Sequence, residues 1–307
     1  MSTAEIAVRR EAPVEHRASI GLWSHAWWSF RRDRLSMAAL GVIIVLALLS
    51  AAAPLLAEHV FHFRYEQQDL LRAYHKPTLD PPQYLLGGDE IGRSQVVRLL
   101  YGGQVSLMVG FVAAFLALTI GVGFGLLAGY IGGRVDDLYT WFVATLTSVP
   151  TLFLLLIITS LFSPSAMTLT FIIGALFWIG SSNQVRAQSF SLREQEFVKA
   201  ALTIGASRPR IMLRHILPNV LPIVFTVAAI DIGAIILTES ALSFLGLGIM
   251  PPTPSWGNML TNAAQYFNRA WWLVLSPGFM IWLTVLCLFL VGDGLRDALD
   301  PRLKGSK

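Results

Sequence analysis

Six apolar runs, each about as long as a bilayer-crossing helix, leave this chain few folds to choose from: residues 36–56, 105–127, 138–161, 167–188, 220–244 and 273–291. A helix of about 20 residues crosses a hydrocarbon core of about 30 Å, and in lipid every backbone N–H and C=O must be satisfied within the segment itself. The runs predict an all-α polytopic membrane protein with six transmembrane helices. Composition agrees, because 54% hydrophobic residues against 14% charged is too apolar for disorder. A net charge of +4, from 23 Lys+Arg and 19 Asp+Glu, is too balanced for a basic nucleic-acid binder. The third and fourth runs are joined only by Phe162, Ser163, Pro164, Ser165 and Ala166, which predicts a tight hairpin. The fourth ends in Ser181, Ser182, Asn183 and Gln184, so that end must face protein or a water-filled path. The sole cysteine, Cys287, sits inside the last run, which rules out an intrachain disulfide and reads as core.

Orientation follows from Lys and Arg placement. Arg9, Arg10, Arg17, Arg31, Arg32 and Arg34 precede the first run, Arg186 to Arg214 lie between the fourth and fifth, and Arg296 to Lys307 close the chain. The alternate loops carry fewer basic residues, and in the first of them these are diluted by acids. Both termini are therefore expected in the cytoplasm. The expected organisation is a cytoplasmic segment 1–35, a first span 36–56, an external segment 57–104, a five-helix core 105–291 and a cytoplasmic tail 292–307. The core contains a basic cytoplasmic loop at 187–219, with a helix predicted over 192–204. In the first segment, Ile20, Trp23, Trp27 and Phe30 share a helical face, which predicts a short interfacial helix serving as an anchor. Arg31-Arg32 ahead of an apolar run also fits a secretory signal, but the run is longer than a signal core and Pro54 follows the alanines, so a retained span is the better reading.

Motifs for catalysis are missing from the sequence. There is no G-x-x-x-x-G-K-[ST] phosphate loop, no H-E-x-x-H or Cys/His ligand spacing, and no G-x-S-x-G elbow. All six histidines fall outside the apolar runs, so an intramembrane serine hydrolase would have no histidine base. The expectation is a chain that is not an enzyme and holds no metal or cofactor of its own.

The informative segment is the cytoplasmic loop, which reads Glu196-Phe197-Val198-Lys199-Ala200-Ala201, then Gly205-Ala206-Ser207, then His215-Ile216-Leu217-Pro218. It resembles the signature loop of bacterial ABC importer permeases, in which E-A-A is followed by three residues, Gly, nine residues and Ile-x-Leu-Pro. Lys199, Ala200, Ala201, Gly205, Leu217 and Pro218 fall at that spacing, while Lys199 replaces the Glu and His215 the Ile. Glu196 stands three residues earlier, as is usual in the peptide-importer branch. Independently of the family, a short helix with small residues and a Gly-centred turn suits docking into a groove with charges at the rim. Leu86-Gly87-Gly88-Asp89-Glu90-Ile91-Gly92-Arg93, then Arg98 to Gly103 with Ser106-Leu107, is similar to a segment of the dipeptide, oligopeptide and nickel importer permeases. The same holds for Glu239 to Gly248 running into Pro251-Pro252-Thr253-Pro254-Ser255-Trp256-Gly257, and for Gly292 to Asp297 with Asp300-Pro301-Arg302. Order and spacing are those of the C-type subunit. Asn183 departs from the pattern, where arginine is expected.

The resemblance implies the type I ABC importer permease fold and a place in a bacterial inner membrane. It implies translocation by alternating access, with peptides as cargo and nickel chelates or glutathione-like molecules as the alternative. The implied partners are a homologous second permease, two ATPase subunits holding ATP and Mg, an extracytoplasmic binding protein and membrane lipid, with no nucleic acid. Glu196, Lys199, Ala200, Ala201, Gly205, Ala206, Leu217 and Pro218 would form the ATPase contact. Candidates for the translocation path are Asp231 and Glu239 within the fifth run, with Asn183 near the inner mouth, because intramembrane ionisable groups are costly unless used. Glu239 is equally readable as a structural acid satisfied by backbone donors or a partner subunit. Pro150 and the glycines at 121, 123, 125 and 129 read as bending and close-packing residues. A membrane anchor without a path is the reading from another class, and it gives no reason to bury Asp231 or the polar stretch 181–184.

Overall fold

The computed structural model describes residues 22–162 and 165–299, with side chains described from residue 26 onward. Ile20, the arginines at 9, 10 and 17, the Ser163-Pro164 turn and the tail beyond residue 299 lie outside the described residues. Among the described residues twelve α-helices follow in order: α1 (Leu22–Arg32), α2 (Arg34–Ala51), α3 (Ala53–His59), α4 (Gln95–Ile131), α5 (Gly133–Thr147), α6 (Thr151–Phe162), α7 (Ala166–Arg193), α8 (Glu196–Thr203), α9 (Arg208–Ile211), α10 (Leu217–Phe244), α11 (Ala263–Tyr266) and α12 (Trp272–Leu299). No strand forms among the described residues. Five helical stretches are long and apolar enough to cross a membrane, and α5 with α6 makes a sixth if that bent pair is one span.

Helices α4, α7 and α12 run one way and α2 and α10 the other, which defines two ends of the bundle. A loop face gathers residues 60–94, the start of α7 and residues 245–271, while a basic face gathers α8 and both described chain ends. The most extensive packing is between α4 and α7. A Cβ on Gly121 would stand 2.8 Å from the Trp178 carbonyl, on Gly125 2.6 Å from that of Ser182, and on Gly129 2.5 Å from that of Arg186. Pairs rising together in number make the two helices parallel, and the every-fourth-residue stripe lets their backbones meet at a distance that larger side chains forbid. Gly123, off the stripe, faces open space. Ser181 and Ser182 are buried against this stripe while Asn183 and Gln184 are exposed, so the polar end of the fourth run is divided between protein and surroundings.

Helix α10 runs antiparallel to α4, with Gly110 set against Ile236. Helix α12 packs beside α10 and α2, burying Ile281, Val285, Cys287 and Leu288 among Ile43, Ala229 and Ile236. At the basic face, Asp33 caps α2 by accepting from the amides of Leu35 at 3.1 Å and Ser36 at 3.3 Å. The Ser36 hydroxyl beside it holds the Asp33 carboxyl below the usual carboxylate range and also reaches the Leu290 carbonyl at 2.8 Å, tying α2 to α12. The short helix expected before the first span is present as α1. Phe30 turns inward onto the end of α12 and is buried, whereas Trp27 and Trp28 face outward.

Several boundaries differ from the sequence reading. Helix α4 begins at Gln95 rather than 105, because Gln95, Arg98 and Ser106 are buried against protein and need no apolar surroundings to be helical. Residues 95–104, part of the segment expected to be external, are thus helical, and the Ser94 hydroxyl caps α4 by accepting from the Val97 amide. The third run is not one straight helix but α5 and α6, bent by 70° where Pro150 removes an amide donor. The first run divides at Ala52 into α2 and α3, and the last extends from Trp272 to Leu299. The loop expected over 187–219 is mostly absorbed, since α7 runs on to Arg193 and the stretch Arg208–Phe244 is continuous helix. The single helix predicted over 192–204 is instead the end of α7 and a separate α8, with Gln195 in extended conformation between them.

Candidate functional site

On the basic face, residues 194–207 form a compact projection. Val198 and Ala201, one turn apart on α8, are buried against Leu126 and Tyr130 of α4, Val185 of α7, and Ile211, Ile216 and Val220 leading into α10. The opposite side of α8 carries Glu196, Phe197, Lys199, Ala200 and Leu202, all exposed, and Ile204 just beyond it is 85% exposed. The structure thus divides the alanine pair, with Ala201 seated on its own bundle and Ala200 facing outward. Lys199 lies 3.8 Å from Glu194 at the rim.

Gly205 closes α8. Its φ of +83° belongs to the left-handed region, its amide donates to the Leu202 carbonyl at 3.0 Å, and the Ala206 amide donates to the Ala201 carbonyl at 3.0 Å. This pair of bonds is a Schellman cap, which takes up carbonyls that the helix end leaves free. A Cβ on Gly205 would meet nothing within 4 Å, so glycine serves the backbone conformation there and not a close approach within this chain. Beyond it, one widened π-turn, Met212–Ile216, joins α9 to α10. Pro218 and Pro222 lack amides, which deprives carbonyls one turn earlier of their usual donors. The Asn219 side chain adds a bond in this turn by donating to the His215 carbonyl at 2.7 Å.

The two acids of α10 sit in different surroundings. Glu239 is fully enclosed, with one oxygen accepting from the Ser106 hydroxyl at 3.0 Å and the other from Ser243 at 2.8 Å. Ser106 in turn accepts from the Trp256 amide at 3.2 Å, Ser243 from the Ile249 amide at 3.0 Å, and the Trp256 indole N–H donates to the Leu99 carbonyl at 3.0 Å. Sequence reasoning offered backbone donors or a partner subunit for Glu239. The donors are instead serine hydroxyls of this chain, and through them the 99–106, 239–243 and 249–256 motifs meet at one point. Asp231, two turns nearer the basic face, is half-buried, and its Oδ2 is buried with no hydrogen-bond partner among the described residues.

Asn183 is exposed on α7 and accepts from the Tyr139 hydroxyl of α5 at 2.8 Å. One turn on, Arg186 forms a bidentate pair with Asp136, with Nη2 to Oδ2 at 2.7 Å, so α5 is pinned to α7 at the basic end. Neither Asp136 nor Tyr139 was singled out from sequence, because a charge at the end of an apolar run gives no sign of which helix it will meet. Among the described residues no group of three His, Cys, Asp or Glu side chains is placed to hold a metal ion.

A bundle of membrane-length helices with an exposed short helix at its basic end and a half-buried acid in the bundle belongs to the class of polytopic transport permeases. Residues 121–305 match the family described as binding-protein-dependent transport system inner membrane component, and residues 21–82 match the N-terminal membrane domain of oligopeptide transport permease C. The chain belongs to this family. It is 38% identical over 281 residues to the oligopeptide transport system permease protein OppC of Haemophilus influenzae, covering 92% of this chain and 89% of that protein. It is 34% identical over 296 residues to the dipeptide transport system permease protein DppC of Bacillus subtilis, covering 96% and 90%. A structure of the MetNI methionine ABC transporter in an inward-facing conformation shares the fold, with a TM-score of 0.50, 18% identity, and 66% of this chain covering 96% of that one.

Proposed function

We propose that this chain is one of two homologous permease subunits of a peptide ABC importer in a bacterial inner membrane, with its basic face in the cytoplasm. The observation that carries the reading is α8. Its inner side is keyed into three long helices by Val198 and Ala201, and its outer side offers Phe197, Ala200, Leu202 and Ile204 within a rim of Glu194, Glu196 and Lys199. An exposed apolar strip with a charged rim is the anatomy of a docking surface. On this reading each of two ATPase subunits, holding ATP and Mg, grips one permease through such a helix, with Leu217 and Pro218 leading its motion into α10. An extracytoplasmic binding protein delivers cargo to the loop face, and alternating access passes it between the two permeases. Relatives named for oligopeptide and dipeptide transport favour peptides over nickel chelates or glutathione-like cargo.

Asp231 is assigned to the path, since an acid in the bundle with an unpartnered oxygen is poised for a peptide amine or another cation. Glu239 is assigned a structural role, its hydrogen-bonding capacity being used within the chain. Asn183 is assigned to hold α5 beside the inner mouth.

The test is a transporter reconstituted in vesicles, with Cys287→Ser as the background and Ala200→Cys as the probe. The expected result is ATP-driven peptide uptake, labelling of position 200 by an impermeant maleimide from the cytoplasmic side only, and its crosslinking to an ATPase subunit. Labelling from the outside would overturn the orientation and the docking surface together. ATP-driven uptake of a nickel chelate but of no peptide would overturn the cargo alone.

A further inference from the structure

A cavity of about 230 Å³ opens on the loop face between the turn at 89–93, the first turn of α4 and the segment 246–262. Its depth holds Arg98, a residue the two acids of α10 do not touch and the reading above does not use. Arg98 is 4% exposed, yet its Nη1 has no hydrogen-bond partner among the described residues. The nearest acid is Asp89, with Nε to Oδ2 at 3.9 Å. That carboxylate is already engaged: Oδ1 accepts from the amides of Ile91 at 3.1 Å and Arg93 at 2.8 Å, and Oδ2 from the Arg93 Nε at 2.6 Å. Asp89 and Arg93 therefore neutralise one another and leave the Arg98 guanidinium short of an acceptor. Burying a guanidinium with an unmet donor is costly. A planar two-oxygen acceptor is the complement of its fork.

The walls are rigid enough to select a ligand. Asn258 spends its side-chain amide donating to the Ile249 carbonyl at 3.0 Å and the Thr253 carbonyl at 2.8 Å, and its oxygen accepts from the Ser255 amide at 3.0 Å. That fixes the loop carrying Ile249, Met250 and Pro251, which with Met259 and Leu273 form the apolar lining. The volume equals roughly eight waters at about 30 Å³ each, enough for a carboxylate and the atoms next to it. Glu90, exposed at the rim, is the lining acid that opposes entry of an anion.

We propose that this cavity is a carboxylate-recognition site, in which the Arg98 guanidinium receives a carboxylate brought to the loop face. The inference rests on the assignment of that face to the exterior. The carboxylate comes either from the C-terminus of the transported peptide or from an acidic side chain of the binding protein, and the two sources leave different traces.

The experiment uses the complete transporter in lipid nanodiscs and vesicles with its binding protein, and compares Arg98→Gln, Met250→Trp and Glu90→Gln with the parent. Met250→Trp narrows the cavity from the half-exposed rim without altering the guanidinium, and it decides the matter should Arg98→Gln fail to assemble. Loss of one charge-assisted contact predicts about a tenfold rise in the half-saturating concentration in Arg98→Gln and Met250→Trp, and a fall in Glu90→Gln, where a repelling charge is gone. A substrate source shows as normal docking of the unloaded binding protein, with the defect confined to uptake of free-acid peptide and already present in the parent for the C-terminal amide. A binding-protein source shows as weakened docking of the unloaded protein itself, equally for acid and amide cargo. Unchanged docking and unchanged uptake in assembled Met250→Trp and Arg98→Gln would overturn the site. Absence of peptide uptake by the parent would instead overturn the functional reading on which it rests.

Discussion

Gly205 allows the link between backbone conformation and transport to be tested without confusion with packing. Its φ of +83° places it in the left-handed region, and the space where a Cβ would sit is open. An L-residue in that region costs roughly 1–2 kcal/mol, more if β-branched. If the turn opens in response, the Gly205 to Leu202 and Ala206 to Ala201 bonds go with it, each worth about 1 kcal/mol net. The strain acts on the closed cap alone, so about 1–2 kcal/mol, with Val at the upper end, shifts it against open forms by a factor of roughly 5 to 30. Gly205→Val is therefore expected to insert and pair normally while losing most stimulation of ATP hydrolysis by the loaded binding protein and most uptake. Adding Glu196→Lys, which reverses a rim charge, deepens the loss. Asn adopts the left-handed conformation far more readily than other non-glycine residues. Gly205→Asn should thus keep most activity, with Gly205→Ala in between. The assays are ATPase activity and uptake in vesicles, with pull-down of the ATPase subunits as the check on assembly. Equal failure of Asn and Val would refute the conformational argument and show that position 205 must be empty for a partner. Normal coupling in the Val variant would refute the assignment of α8 as the coupling element.

Two further outcomes follow from the acids of α10. Glu239→Ala strands the Ser106 and Ser243 hydroxyls in an enclosed site and should cost about 3 kcal/mol or more, whereas Glu239→Gln retains both acceptor and donor capacity and should cost much less; thermal unfolding of the purified subunit in detergent compares them, and equal midpoints would remove Glu239 from its structural role. Asp231→Asn keeps shape and removes charge, so peptide uptake should fall at unchanged assembly and unchanged thermal midpoint, while uptake equal to the parent for every peptide tested would make Asp231 structural.

The apolar helices were legible because bilayer crossing is a one-dimensional property: length and hydropathy suffice, and four of the six runs lie within single helices, while the first and third are each divided between two. Helix ends were less so. Residues 95–104 include Gln95, Arg98 and Gln104, which look like loop by hydropathy, yet α4 continues through them because other parts of the chain cover Gln95 and Arg98. The break between α7 and α8 falls at Glu194-Gln195, where nothing resembling a breaker is written; the turn there lets Val198 and Ala201 join the buried cluster of Leu126, Val185 and Val220. Gly205 and Pro150 could be read directly, since each acts through its own backbone. The partner of Glu239 could not, because Ser106 lies 133 residues away and only the antiparallel register of α4 and α10 brings it there.

The two faces are built to opposite ends. On the loop face, Glu239, Trp256 and Asn258 join α4, α10 and residues 245–262 through buried hydrogen bonds, so a displacement must break several at once. On the basic face, α8 has two buried side chains and one glycine cap, and its outer side is free. Few contacts usually mean low local stability. Here those contacts fall where α4, α7 and the start of α10 converge, in the cluster of Leu126, Val185 and Val220. A push on α8 therefore reaches a cluster that α4, α7 and the start of α10 share, and α4 and α7 are packed side by side along their glycine stripe. On the proposed reading, a small surface helix suffices to tilt the inner end of the bundle for the same reason that Gly205 is needed: the shape of one short turn sets the direction of the push.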